Sequence, residues 1–139
     1  MKKMVLTILF LNCLFTNAQE ITGKWKTIDD KTGETKSIIE IYEKNGKFFG
    51  KVVEIFNKNK RDALCEKCDE PDKNKPVLGL VIIKNMKKNK EIYENGTITD
   101  PENGKTYSCS ITPMKKKLKV RGYLGVSLFG RSQTWEKVE

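Results

Sequence analysis

Apolar and polar residues alternate with a period of two along most of the chain, the pattern of a strand with one buried face. "GKWKTID" begins the pattern at Gly23, and "SIIEIYE" (37–43) continues it with β-branched and aromatic residues. Asn45-Gly46 follows as a strong hairpin signal, and "FFGKVVEIF" (48–56) runs back from it. "PVLGLVIIKNM" is continuously apolar from Val77 to Ile83, as a strand buried on both faces would be. "EIYENGTITD" and "KTYSCSITPM" flank Asp100-Pro101-Glu102-Asn103-Gly104, where an early proline and a late Asn-Gly predict a tight reversal. "KKLKVRGYLG" and "LFGRSQTWEKV" complete a set of about eight strands. No segment carries a helical period. Short strands at regular spacing predict an all-β domain, either a closed antiparallel barrel or a sandwich.

Two stretches break this rhythm. Residues 57–76, "NKNKRDALCEKCDEPDKNKP", form a connection of 20 residues, long enough in a compact domain to be functional or mobile. Within it "KRDALCEKC" has the makings of one or two helical turns. The other stretch is the beginning. Lys2 and Lys3 precede an apolar run from Met4 to Phe15, and Thr16 and Ala18 supply small residues at the −3 and −1 positions of a cleavage site. That layout predicts a signal peptide over 1–18 and a single domain over 19–139, placed in the periplasm or secreted. Cys13 invites a lipoprotein reading, but Asn12 stands where lipid attachment needs a small residue. No later run is long and apolar enough to span a bilayer.

Composition narrows the chemistry. Lysine and arginine number 27 against 18 acidic residues; without Lys2 and Lys3 the balance is 25 against 18, a net +7. The excess is lysine, spread along the chain and mixed with Glu and Asp, which reads as a solvated surface rather than a nucleic-acid face. The chain has no histidine. This removes Ser-His and Cys-His nucleophile pairs, the usual proton shuttle and His-ligated zinc. An enzyme would have to work with carboxylates, lysine, tyrosine or cysteine alone; that class has the least support, and no catalytic residue, metal site or cofactor is expected.

The remaining candidates each have a plain reading. Cys65 and Cys68 form "CEKC", which could be a redox pair, a zinc half-site or a structural disulfide. An oxidising compartment favours the disulfide, and the loop setting lacks the βαβ context of a redox site. Cys109 shares a strand face with Tyr107 and Ile111, which predicts an inward, buried thiol; pairing with Cys65 or Cys68 is the alternative. Asp100, Glu102 and Asn103 fit a turn and not an EF-hand loop. Glu40, Glu43 and Glu54 read as solvated strand-face residues.

Two resemblances follow from these residues. Gly23-Lys24-Trp25 at the start of the first strand resembles the Gly-x-Trp signature of lipocalins, in which a late arginine packs on the tryptophan and helps close the barrel. Arg131 is the candidate here, and cation–π contact is the physical reason for an arginine. More closely, the chain is similar to the bacterial secreted family catalogued as domain of unknown function 2147. Gly23, Trp25, Ile39, Ile41, Gly46, Gly50, Val52, Pro76, Gly79 and Leu80 carry the match. So do Gly96-x-Ile98-x-Asp100-Pro101-x-x-Gly104-x-x-Tyr107, Val120-Arg121-Gly122-Tyr123-x-Gly125 and Gly130-Arg131-x-Gln133-x-Trp135. Many members of that family lack the Cys-x-x-Cys pair, so the resemblance assigns it no role.

The resemblance implies a single up-and-down antiparallel barrel of about eight strands, lipocalin-like, of the calycin type. Trp25, Arg121, Arg131 and Trp135 are then structural. Such a barrel is either filled or just wide enough for one small ligand. Phe48, Phe49, Phe56, Tyr107 and Tyr123, with Val81 and Ile83, are the expected wall residues around a small apolar ligand. A filled, structural or stress-related envelope protein with a protein partner is the alternative. A monomer is expected, with no nucleic acid bound.

Overall fold

The structure, a computed structural model, describes residues 20–125 and 129–139. The expected signal peptide, its cleavage after Ala18 and the Cys13 question lie outside the described residues.

Eight strands form one closed antiparallel barrel in sequence order: β1 (Gly23–Ile28), β2 (Thr35–Lys44), β3 (Lys47–Ile55), β4 (Val81–Asn89), β5 (Ile92–Thr99), β6 (Thr106–Met114), β7 (Lys117–Tyr123) and β8 (Gly130–Lys137). Closure comes from Trp25 and Lys26 of β1 pairing with Lys137 and Glu136 of β8. It leaves the sheet without an edge. The Asn45-Gly46 hairpin forms as its sequence predicts, with both residues at positive φ (52° and 76°).

The fourth strand begins later than its apolar run suggests. Gly79 sits at φ 91° and donates its N–H to Val52 O, while Leu80 O accepts from Val52 N. The chain therefore bends into the sheet at 79–80, and Val77–Leu80 packs as the end of the long connection. The strand then runs on through "KNMKKN" to Asn89, with Asn85 at φ 60° as an irregularity.

Up-and-down topology gives the barrel two unlike ends. One, here called the closed end, gathers the β2–β3, β4–β5 and β6–β7 turns and the segments flanking β1 and β8. Ile21 plugs it with its side chain fully buried, and its carbonyl accepts from Trp25 Nε1 at 2.8 Å. Above the plug, Trp135, Tyr93, Ile39, Ile41, Ile83, Met86, Ile111, Leu118 and Cys109 fill the interior, each under 2% exposed. Phe48 packs edge-on against Tyr93 with ring centroids 4.9 Å apart. Tyr93 buries its hydroxyl beside the Ile21 backbone, without a well-formed hydrogen bond among the described residues, and burial pushes its phenol above the usual range.

The 57–76 connection packs against the β5–β6 turn, where Lys60 meets Glu102 and Cys65 lies near Pro101 O, and runs on along the outer face of β4. Lys84, outward-facing opposite Thr97, holds Asp72 at 2.8 Å, and Ile82 on the same outer face is only 6% exposed. One 3-10 turn forms, at Lys58–Lys60 and not in the expected 60–68 segment. Ala63–Cys65 pairs with Lys75–Val77 instead, through Cys65 N to Lys75 O (2.8 Å) and Val77 N to Ala63 O (2.9 Å). Cys65 and Cys68 are bonded to each other and buried, and Cys65 approaches Pro101 O.

Candidate functional site

At the opposite end, the mouth, inward residues are only partly buried. Inward positions are fixed by parity from sealed neighbours: Thr27 follows Trp25, Ser37 precedes Ile39, Tyr107 precedes Cys109, and Gln133 and Arg131 precede Trp135. Ile98 pairs with both Ile83 and Tyr107, which places it on the same wall. Ser37, Ile98, Tyr107, Gly122 and Gln133 are half-buried although they point into the barrel. They outline a shallow, partly solvated cup above the packed core. A methyl on Gly122 would come into ordinary contact with Ile98 Cγ2 and Tyr107 Cβ, both at 3.4 Å.

The cup has a hydrogen-bonded floor. Trp135 Nε1 donates to Gln133 Oε1 (3.2 Å), tying the exposed amide to the buried indole. Thr27 Oγ1 and Ser37 Oγ lie 2.7 Å apart across β1 and β2. Tyr107 Oη accepts from Asn103 Nδ2 at 3.2 Å.

Ion pairs shape the rim. Arg131 reaches Asp30 in the β1–β2 connection through Nε (3.0 Å) and Nη2. Glu102 in the β5–β6 turn meets Lys36 of β2 at 3.1 Å and Lys60 at 3.6 Å, so that turn leans across part of the opening. The Lys36 ammonium holds the Glu102 carboxyl below its usual range. Backbone N–H groups of Thr32 and Lys31 do the same for Asp29, which shapes the β1–β2 turn. Leu124, Phe129 and Phe56 add exposed apolar surface beside the opening.

Several expectations from sequence are corrected here. Arg131 does not pack on Trp25. In the β1–β8 register Trp25 sits opposite Lys137, six residues further along, and Trp25 bonds Ile21 instead. Arg131 has an inward parity but lies at the mouth, where its side chain is 69% exposed and turns to Asp30. Arg121 points outward and bonds Ser132 Oγ at 3.3 Å. Trp135 is buried in the barrel interior.

The five expected ligand-wall aromatics do not converge. Phe48 is part of the packed core. Phe49 is outward, stacked on Tyr42 at 5.8 Å beside an open groove of about 610 Å³ that Asp72 and Lys84 also line. Phe56 lies past the end of β3 and is 39% exposed. Tyr123 is outward, sharing the Arg121 face. Tyr107 alone lies in the cup. Thr27, Ser37, Ile98 and Gln133 were missed, though counting in twos from Trp25 and Trp135 would have found Thr27 and Gln133.

Cys109 is a free, fully buried thiol, pushed up to about 12 by desolvation. Glu43 and Glu54 are exposed and Glu40 faces Lys51 at 3.8 Å. Among the described residues no three His, Cys, Asp or Glu side chains are grouped to hold a metal ion. No helix among them is long and apolar enough to cross a membrane.

A family model described as an uncharacterized protein conserved in bacteria (DUF2147) matches residues 23–137. The chain belongs to this family. The matched span begins at the first strand and ends with the last, so DUF2147 here is the barrel itself. Among solved structures, a Helicobacter pylori protein described as "Protein HP1028 from the human pathogen Helicobacter pylori belongs to the lipocalin family" superposes with a TM-score of 0.76. It has 21% identity, over 86% of this chain and 84% of that one. At that identity the likeness is one of fold: the DUF2147 barrel is lipocalin-like. No curated protein matches the chain.

Proposed function

We propose that this protein is an exported, non-enzymatic binding barrel whose site is the shallow mouth. The observation that carries this reading is the contrast along the inner wall. Inward residues of the closed half are sealed, while Ser37, Ile98, Tyr107 and Gln133 are half-buried. Inward positions exposed to solvent in a folded barrel are the usual form of a small-ligand site. The ligand is small, because the core stops it at Trp135. Its apolar part rests on Ile98 and Tyr107, and a polar group reaches Gln133 and Arg131.

Export accords with the residues before Gln19, which have the layout of a cleavable signal, and with the Cys65–Cys68 bond. A non-catalytic role accords with the absence of histidine and with a Cys109 thiol too weakly acidic to act as a nucleophile. A second reading, a structural envelope protein that binds a protein partner, draws support from the packed closed half and from Leu124 and Phe129, 57% and 73% exposed at the rim.

Titration with 8-anilinonaphthalene-1-sulfonate, an apolar ring system with an anionic group, tests the first reading. Binding should quench Trp135, should weaken about tenfold or more in Tyr107→Ala, and should weaken in Arg131→Ala. Equal affinity in all three proteins would reject the mouth as the site. Loss of binding only when Leu124 and Phe129 are replaced by serine would favour the second reading.

A further inference from the structure

The turns after β2, β4 and β6 all lie at the closed end. Each is rich in lysine: Glu43-Lys44-Asn45-Gly46-Lys47, Lys87-Lys88-Asn89-Lys90-Glu91 and Lys115-Lys116-Lys117. Together they hold eight lysines and two glutamates. The short connections at the mouth, 29–34 and 100–105, hold five acidic residues and two lysines. The three turns thus carry 8 − 2 = +6, against 2 − 5 = −3 for the short mouth connections, while Glu20 and Glu139 in the segments flanking β1 and β8 offset part of the closed-end charge. Seven of the eight lysines are exposed and Lys47 is half-buried. Among the described residues, only Lys116 of the eight has a carboxylate within 4.0 Å, that of Glu139. Lys88 places its ammonium 5.9 Å from the Tyr93 ring centroid, over the plug. Met114, 47% exposed, stands beside Lys115 as an apolar contact.

We propose that this closed end docks on an anionic phospholipid surface and leaves the mouth facing away from it. Three basic turns stand around the end of a filled barrel, and the open groove beside Phe49 reaches Lys44 and Lys47 on the flank of the first. A planar array of headgroups meets all three turns at once, whereas a linear polyanion would cross two. Each lysine near an anionic leaflet contributes roughly fivefold to partitioning, and the attraction fades beyond a Debye length. The contact is therefore reversible and salt-sensitive.

Vesicle flotation of the full exported protein tests this, with vesicles of phosphatidylcholine alone and of phosphatidylcholine mixed with phosphatidylglycerol, at low and high salt. The protein should float only with phosphatidylglycerol and only at low salt. Replacing Lys87, Lys90, Lys115, Lys116 and Lys117 by glutamine should lower partitioning by about a hundredfold or more. A control of equal charge loss outside the three closed-end turns, Lys31, Lys58, Lys67, Lys73 and Lys105 to glutamine, should retain most of it. These side chains are exposed, so both variants should keep the wild-type melting profile. Equal loss in the two variants would overturn the proposal in favour of diffuse charge. Absence of binding to phosphatidylglycerol vesicles, with retention on an immobilised sulfated polysaccharide, would overturn it in favour of a polyanionic chain.

Discussion

Gly104 joins the disulfide segment to the barrel, and Gly104→Ala should separate them. Its φ of 72° lies in the left-handed region, which costs an L-residue roughly 1–2 kcal/mol. An added methyl would also overlap the Lys67 carbonyl and stand 2.8 Å from Cys68 N, where non-bonded heavy atoms prefer about 3.5–4.0 Å. Lys67 lies between the two bonded cysteines, so its peptide cannot swing aside alone. The whole Cys65–Cys68 turn must lift, at an overpacking cost of about 1–3 kcal/mol. The expected loss is about 3 kcal/mol by urea unfolding, with faster amide exchange at Cys65 and Asn74, whose N–H groups bond within the segment. In a Cys65→Ser, Cys68→Ser background the turn can yield, and the same substitution should cost about 1 kcal/mol less, a coupling the double-mutant cycle reads directly. A change within about 0.5 kcal/mol of wild type, with exchange at Cys65 and Asn74 unaltered, would refute the reasoning.

Three further outcomes follow from the geometry. Arg131→Lys should cost less than about 1 kcal/mol and the cost should shrink in salt, because the pair with Asp30 is exposed; a loss above about 2 kcal/mol would restore a barrel-closing role. Cys109 should resist thiol reagents until global unfolding. Its folded thiol titrates at about 12 and the unfolded one near 9.0, so the folded state keeps a proton the unfolded state loses. Stability should fall across that window relative to Cys109→Ala, and parallel pH profiles would contradict the burial. Asp72 is held below its usual range first by its hydrogen bond from Lys84. Its stabilisation of the outer segment is therefore present above the unfolded value of 3.8 and lost as pH falls through the folded one; amide exchange at Lys75 should show this acid release in wild type and not in Asp72→Asn.

The barrel was legible in the sequence because its information is local. Asn45-Gly46 and Asp100–Gly104 each fix a reversal without reference to the rest of the chain, and Cys109 showed its burial by counting in twos. Three features were not legible, and each depends on register or on contacts between distant segments. Arg131 was assigned to Trp25 by analogy, yet the pairing of Trp25 with Lys137 sets the arginine at the other end of its strand. Phe48 and Phe49 are consecutive, so one had to face outward, and only the pairing of Phe48 with Met86 says which. The long connection gave no sign that it would fold along the outer wall, since the Asp72–Lys84 pair joins residues of no distinctive pattern.

The depth of the mouth follows from how side-chain bulk is divided along each strand. On β1 the inward pair is Trp25 then Thr27; on β2, Ile39 then Ser37; on β7, Val120 then Gly122; on β8, Trp135 then Gln133. In every pair the larger or more apolar member lies toward the closed end and the smaller or polar one toward the mouth. Gly50 and Gly96 are small inward exceptions in the closed half. A methyl on Gly50 would stand 3.1 Å from Ile39 and Ile83 side-chain carbons, and one on Gly96 would fall against Met86 and the β4 backbone, so both spaces are already taken by neighbours. On these four strands bulk is graded along the axis, which fills the closed end; β6 runs the other way, with Tyr107 at the mouth and Cys109 in the core. Lengthening the cavity would begin at Trp135, which floors the cup. Loss of Tyr93 alone, deeper in the closed half, would leave a sealed void that destabilises the core without opening it to the mouth.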